Sequence, residues 1–150
     1  RVSIPPAVNQ APHSIAGHFV TSQGSGNDDD TVNFCKEHGI QYQAYSPLGN
    51  IAFAQVKRTA VRRAKNVTKT DLPPTSGTGF ILKHPKVLQI AAKHKRSAAQ
   101  VALKWLTQQD IVLVTAEHRI AHAVDDAQIF TNGFELTDDE MAELAEIKLN

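Results

Sequence analysis

Gln41-Tyr42-Gln43-Ala44-Tyr45-Ser46-Pro47-Leu48-Gly49 is the stretch that decides the fold. Its first five residues alternate in polarity, which predicts a strand with one buried face. The strand runs directly into a turn that displays an aromatic ring, a hydroxyl and flexible backbone together. Strand ends of this kind are where α/β proteins hold cofactors. Working outward, Pro6-Ala7-Val8-Asn9-Gln10 lies upstream and Ile111-Val112-Leu113-Val114-Thr115-Ala116 downstream. Strand, turn and helix therefore recur three times, the rhythm of a (β/α) barrel.

The connecting segments support that alternation. Pro5-Pro6 sets up an extended approach to a short strand over Ala7 to Gln10. Thr21 to Asp30 is rich in Ser, Gly and Asn and reads as a surface loop. Asn27 or Asp28 caps a helix through Val32, Cys35 and Lys36 that stops at Gly39, so Asp28-Asp29-Asp30 reads as a helix start rather than a cation site. Ile40 to Tyr45 is the second strand. His84-Pro85 opens a helix carrying Val87, Leu88, Ile90 and Ala91. Ser97 caps another whose apolar side holds Val101, Ala102, Trp105 and Leu106. The apolar run Ile111 to Ala116 predicts a buried parallel strand. A helix over Arg119 to Phe130 follows, and a Thr137-to-Glu140 capping box starts a last helix with Met141, Leu144 and Ile147 inward.

Residues 50–83 form a segment of different character. Phe53, Val56, Ala60, Ala64 and Val67 recur at helical spacing, with Lys57, Arg58, Arg62, Arg63 and Lys65 around them. Pro73 to Gly79 reads as a linker. The basic residues suit either a solvated insertion or docking onto an anionic partner.

At 150 residues the chain is long enough for one domain, 1–150, with a core of its own. A net charge of +1 gives no global field for nucleic acid. The basic stretch has no interleaved stacking aromatics, so nucleic acid is disfavoured as a partner. The single cysteine, Cys35, excludes an internal disulfide framework and suits a soluble intracellular protein of cytoplasm or organelle. Cys35 itself reads as a half-buried helix residue rather than a nucleophile. No apolar run reaches the ~20 residues of a membrane span. The only methionine is Met141, which predicts either a removed leader or a piece of a longer polypeptide. A complete barrel needs about 250 residues, so part of one is expected elsewhere.

Five motifs in order resemble the second half of an aldo-keto reductase. They are Val8-Asn9-Gln10, Phe34 to Ile40, Ala44 to Gly49, Ala99 to Trp105, and Phe134 to Met141. The resemblance implies a partial (β/α)8 TIM barrel, roughly strands 6–8 with their helices, plus a long basic insertion over 50–83. It implies an NAD(P)H-dependent oxidoreductase that reduces a small carbonyl substrate by hydride transfer. Gln10 matches the glutamine that binds the nicotinamide amide, and Tyr45 the tyrosine that stacks on its ring. Ser46, Pro47, Leu48 and Gly49 match the turn that meets the pyrophosphate, and Asp125 stands at the cofactor as the first of a Glu-Asn pair, here Asp125-Asp126.

Two departures follow from the same resemblance. The lysine and arginine that grip the 2′-phosphate of NADP fall on Ala116 and His122, and Glu117 brings a repelling charge beside them. The cofactor is thus NADP or NAD, with the NADP grip weakened. The family's proton-donating tyrosine and its lysine, aspartate and histidine neighbours lie before Gln10, so this chain carries no catalytic residue and is not expected to reduce a carbonyl alone. Either the missing barrel half completes it, or it is an inactive family-like subunit docked in a larger assembly under a covering partner. No metal is expected: His118 and His122 are helically spaced but lack further ligands. His13 and His18, in the loop after the first strand, are candidates for touching substrate.

Overall fold

The computed structural model describes residues 4–16, 28–49, 78–116 and 119–147. Three strands, β1 (Val8–Pro12), β2 (Gln41–Tyr45) and β3 (Val112–Val114), form one parallel sheet in the order β1-β2-β3. The helices are α1 (Asp28–Glu37), α2 (Thr78–Lys83), α3 (Pro85–His94), α4 (Ala98–Thr107), α5 (Ile120–Ala127) and α6 (Asp138–Ala145), with a 3-10 turn over Gln128–Phe130. Among the described residues no helix is long and apolar enough to cross a membrane.

The ends of these elements follow local chemistry. α1 stops at Gly39, whose φ of +66° is open to glycine at little cost. The Ile40 N–H donates to the Cys35 carbonyl at 2.8 Å and the Gly39 N–H to that of Lys36 at 3.4 Å, the paired bonds of a Schellman stop. Lys95 makes the same stop for α3 at a φ of 54°. Pro85 takes the first position of α3, where no N–H is needed. Ser97 with Gln100, and Thr137 with Glu140, close reciprocal capping boxes on α4 and α6. Thr78 and Gly79, expected in a linker, belong instead to α2. The rest of the basic segment, including the helix expected from Phe53 to Val67, lies outside the described residues, as do Glu117, His118 and His18.

Register fixes which side chains share a face. Gln10 pairs with Gln43, and Gln43 with Val112; Pro12 pairs with Tyr45, and Tyr45 with Val114. Because strand side chains alternate, Asn9, Ala11, Tyr42, Ala44 and Leu113 point one way and Val8, Gln10, Gln43, Tyr45, Val112 and Val114 the other. The first face is covered. Tyr42, Ala44 and Cys35 join Ile81, Val87, Ile90, Val101, Trp105 and Leu106 in a single apolar cluster. The second face is open: Val8, Tyr45, Val112 and Val114 are all exposed.

Three expectations are corrected here. β3 is parallel, but it is not buried, because only its Leu113 side is packed. Gln10 does not end its strand, since β1 runs two residues further to Pro12. Cys35 is fully rather than half buried.

Long polar side chains tie the helical layer together. The Trp105 indole donates to the Met141 carbonyl at 3.0 Å. Gln108 holds Leu136 from both sides, accepting its N–H at 2.7 Å and donating to its carbonyl at 3.0 Å. Buried Lys104 pairs with Glu135 at 2.6 Å.

Candidate functional site

The C-terminal ends of β2 and β3 open into a cavity of about 710 Å3. Tyr45 and the turn through Gly49 form one wall. Val114, Thr115 and Ala116 form the floor, Ser97 and Ala99 stand at the start of α4, and α5 supplies His122, Asp125 and Asp126. Of the seven residues the sequence pointed to, Tyr45, Ser46, Pro47, Leu48, Gly49 and Asp125 meet here. Gln10 does not. Its Nε2 donates to the Gln43 Oε1 at 2.6 Å, one pairing level below Tyr45 on the same open face. Sequence could not show this, because the extra length of β1 sets how far Gln10 stands from the rim.

The turn after β2 is tightly made. The Gly49 N–H donates to the Ser46 carbonyl at 2.9 Å, closing a four-residue turn around Pro47. Ser46 holds a φ of 53° and Gly49 a φ of 93°. For a residue with a Cβ the left-handed region costs about 1–2 kcal/mol. Strain of this kind concentrates where a backbone must present its groups to a ligand. The Tyr45 carbonyl accepts the His13 N–H at 3.3 Å, locking the end of β1 to the root of the turn.

Asp125 is set in place from behind. Gln100 is buried, and its amide is spent in two directions. Its Oε1 accepts the Ser97 N–H at 3.0 Å and its Nε2 donates to the Asp125 carbonyl at 2.8 Å. One side chain thereby caps α4 and pins the last turn of α5 against the cavity. Gln100 lies within the Ala99-to-Trp105 motif, where the sequence alone assigns it no contact with Asp125. The Ser97-to-Gln100 spacing was legible as a capping box; the bond to Asp125 was not, because it joins residues far apart in sequence.

Besides the Tyr45 phenol, the ionisable groups lining the cavity among the described residues are His122, Asp125 and Asp126, with no lysine or arginine. Arg96, adjacent to Ser97, is drawn away: its guanidinium lies 5.1 Å from the centre of the Phe134 ring and donates to the Thr131 carbonyl. Lys104 is held by Glu135 on the same side.

His13 is not at a ligand mouth. It is buried, with its ring 5.8 Å from that of Tyr42 and 5.9 Å from that of Trp105. Tyr42, its neighbour, is likewise enclosed. Burial, reinforced by Cys35 and Tyr45, pushes its phenol up to about 12, so it stays protonated. Among the described residues no three His, Cys, Asp or Glu side chains group together as a metal site would require.

A family model, the aldo/keto reductase family, matches residues 2–149. A curated relative, the NAD(P)H-dependent pentose reductase of Pyricularia oryzae, is 31% identical over 144 residues, which is 96% of this chain and 36% of that protein. The chain thus spans about a third of the length of the curated relatives it matches. Among solved structures, the aldose reductase of Schistosoma japonicum superposes with a TM-score of 0.68 at 24% identity, over 99% of this chain and 36% of that one. An aldo-keto reductase crystallised with NADPH superposes with a TM-score of 0.67 at 25% identity, over 99% of this chain and 37% of that one.

Proposed function

The chain belongs to the aldo/keto reductase family, and on that premise we propose that it forms the cofactor-holding part of an NAD(P)H-dependent enzyme that reduces a small carbonyl compound to an alcohol. The observation that carries the reading is the cavity at the strand ends, where Tyr45, the strained Ser46-to-Gly49 turn and Asp125 converge. A nicotinamide cofactor, when bound, supplies the hydride. The groups present suit such a ligand: an aromatic face for a planar ring, turn backbone and a hydroxyl for phosphates, and a carboxylate acceptor. Tyr45 would stack on the nicotinamide, the Ser46-to-Gly49 turn would meet the pyrophosphate, and Gln10, here bonded to Gln43, would serve the carboxamide. The cofactor is NADP or NAD. Ala116 and His122 stand where the family carries basic residues, and Glu117 follows Ala116 in the sequence, which leaves an NADP grip weakened.

The partial barrel is part of the same reading. β1 to β3 stand as strands 6–8 of eight, residues 1–150 form one unit with 50–83 as its basic insertion, and the open sheet face looks into a lumen that further protein closes. Exposed Val8, Val112 and Val114 support this, since apolar side chains on a sheet face need cover. Cys35, a buried free thiol, is in keeping with a reducing intracellular compartment.

A second reading, an inactive subunit docked in an assembly, draws on the tyrosines. The chain has two, Tyr42 and Tyr45. The first is enclosed and holds its proton tightly, and the second stands at the proposed stacking position. A tyrosine acting as proton donor for a carbonyl would therefore come from outside this chain.

The experiment is turnover by the full-length protein with NADH or NADPH and a panel of aldehydes and pentoses, followed at the nicotinamide absorbance. Oxidation with at least one substrate is expected, and Tyr45→Ala should weaken dinucleotide binding about tenfold through lost stacking. Binding without turnover across the panel would favour the inactive subunit. Neither binding nor turnover would end both cofactor readings.

A further inference from the structure

The open face of the sheet carries a side-chain bond to which neither the strand pattern nor the family resemblance assigns a task. Gln10 and Gln43 are partners across β1 and β2, and the Gln10 Nε2 donates to the Gln43 Oε1 at 2.6 Å. The two sides of this bond are not equally held. Gln43 is half-buried on β2, which pairs with β1 on one side and β3 on the other. Two residues earlier on the same face, the Gln41 Nε2 donates to the Asp110 carbonyl just before β3, at 2.9 Å. Gln10 is exposed on β1, which among the described residues pairs with β2 alone. Gln43 is therefore the anchored member, and Gln10 the one it orients.

An amide carries its acceptor oxygen and its donor nitrogen on opposite sides of one planar group, so fixing one end fixes the other. With its nitrogen given to Gln43, Gln10 turns its oxygen away from that residue. Tyr45 stands two residues beyond Gln43 on the same face of β2. We infer that Gln43 is a positioning residue for the nicotinamide carboxamide, holding the Gln10 amide so that its Oε1 is the end offered to the carboxamide N–H. The inference rests on the cofactor reading above and adds to it a residue and a direction of hydrogen bonding. Its physical content is entropy: a free Gln side chain loses rotamer freedom when it engages a ligand, and one already tied to a neighbour has lost it beforehand. Gln43 is not a catalytic residue, because its bond goes to Gln10 and not to a reacting group.

The test is calorimetric binding to the full-length protein of NADH, NADPH, the 3-acetylpyridine counterpart of each, and ADP-ribose. In the counterparts a methyl ketone replaces the carboxamide, so the N–H is lost and the carbonyl is kept. The natural dinucleotide should bind about three- to tenfold more tightly than its counterpart. Gln43→Met, similar in size but unable to accept from Gln10, should weaken the natural dinucleotide about three- to tenfold and narrow that ratio. Gln43→Glu, which can only accept, should keep the ratio. Gln43→Lys, which can only donate, should turn the Gln10 nitrogen outward and abolish or reverse it. ADP-ribose, which lacks the ring, should bind all four proteins alike. Equal binding of the natural dinucleotide and its counterpart by the unaltered protein overturns the inference without any variant, and leaves the cofactor reading standing. So does a Gln43→Met protein that loses affinity for ADP-ribose by the same factor, which would mark Gln43 as merely structural. Binding of neither dinucleotide overturns both readings.

Discussion

Gly39 and Lys95 occupy equivalent places, each the left-handed residue that ends a helix. The Gly39 position is open: a Cβ built there meets nothing within 4 Å. Gly39→Ala should therefore destabilise the protein by about 1 kcal/mol, through backbone conformation alone. Lys95→Gly should do the reverse by a similar or smaller amount, read as opposite shifts in the urea midpoint at unchanged slope. A loss much larger than this at Gly39 would mean that the space is filled. Tyr45 is also decided at this scale. Its alternation with Tyr42 was readable from the strand pattern, and so was the division of labour between a buried ring and a rim ring. The depth of Gln10 below that rim was not, because a strand's last residue depends on how long its neighbour continues to pair.

Between elements, the junction of α3 and α6 depends on Glu140. This carboxylate is buried, accepts Lys93 at 2.7 Å and His94 at 2.9 Å, and also receives the Thr137 N–H of its own capping box. Burial alone would raise its pKa; the bonds from Lys93, the Thr137 backbone and His94 outweigh it and hold the group at about 2. The folded value thus lies below the unfolded one, so the carboxylate's contribution is complete above about pH 4.5 and is lost as pH falls toward 2. That contribution is about 2–3 kcal/mol. Urea unfolding at pH 7 and pH 3 should show it, and Glu140→Gln should remove most of the pH dependence while costing stability at pH 7. An unchanged acid limb in that variant would mean another group is responsible. The capping box was visible in Thr137-Asp138-Asp139-Glu140. The reach of Glu140 across to α3 was hidden, because Lys93 and His94 lie far back in the chain.

For the whole molecule, the main fact is an α/β layer with one face clothed and the other bare. Helices α3 and α4 bury Tyr42 and Ala44, while Val8, Val112, Val114 and Tyr45 stay exposed on the opposite side. A second cavity of about 640 Å3, mostly apolar, lies along β3 beside exposed Phe130. Taken alone, residues 1–150 should self-associate or bind a hydrophobic dye strongly, since contiguous exposed apolar surface seeks cover. Sedimentation and dye fluorescence of residues 1–150 measure that. A well-behaved, dye-silent monomer would argue against the covered-lumen reading.

What the sequence determined by itself was the local grammar: three strands, helices started by Ser97 and Thr137 and stopped at Gly39, and a turn at the end of the second strand from Ser46 to Gly49. These depend on contacts within a few residues, where backbone sterics and capping chemistry act directly. Tertiary structure alone decided that Asp125 joins that turn across one cavity, that Gln100 holds it there, and that β3 is packed on a single side. Those features join segments separated by tens of residues, and only the sheet register and helix packing set the distances between them.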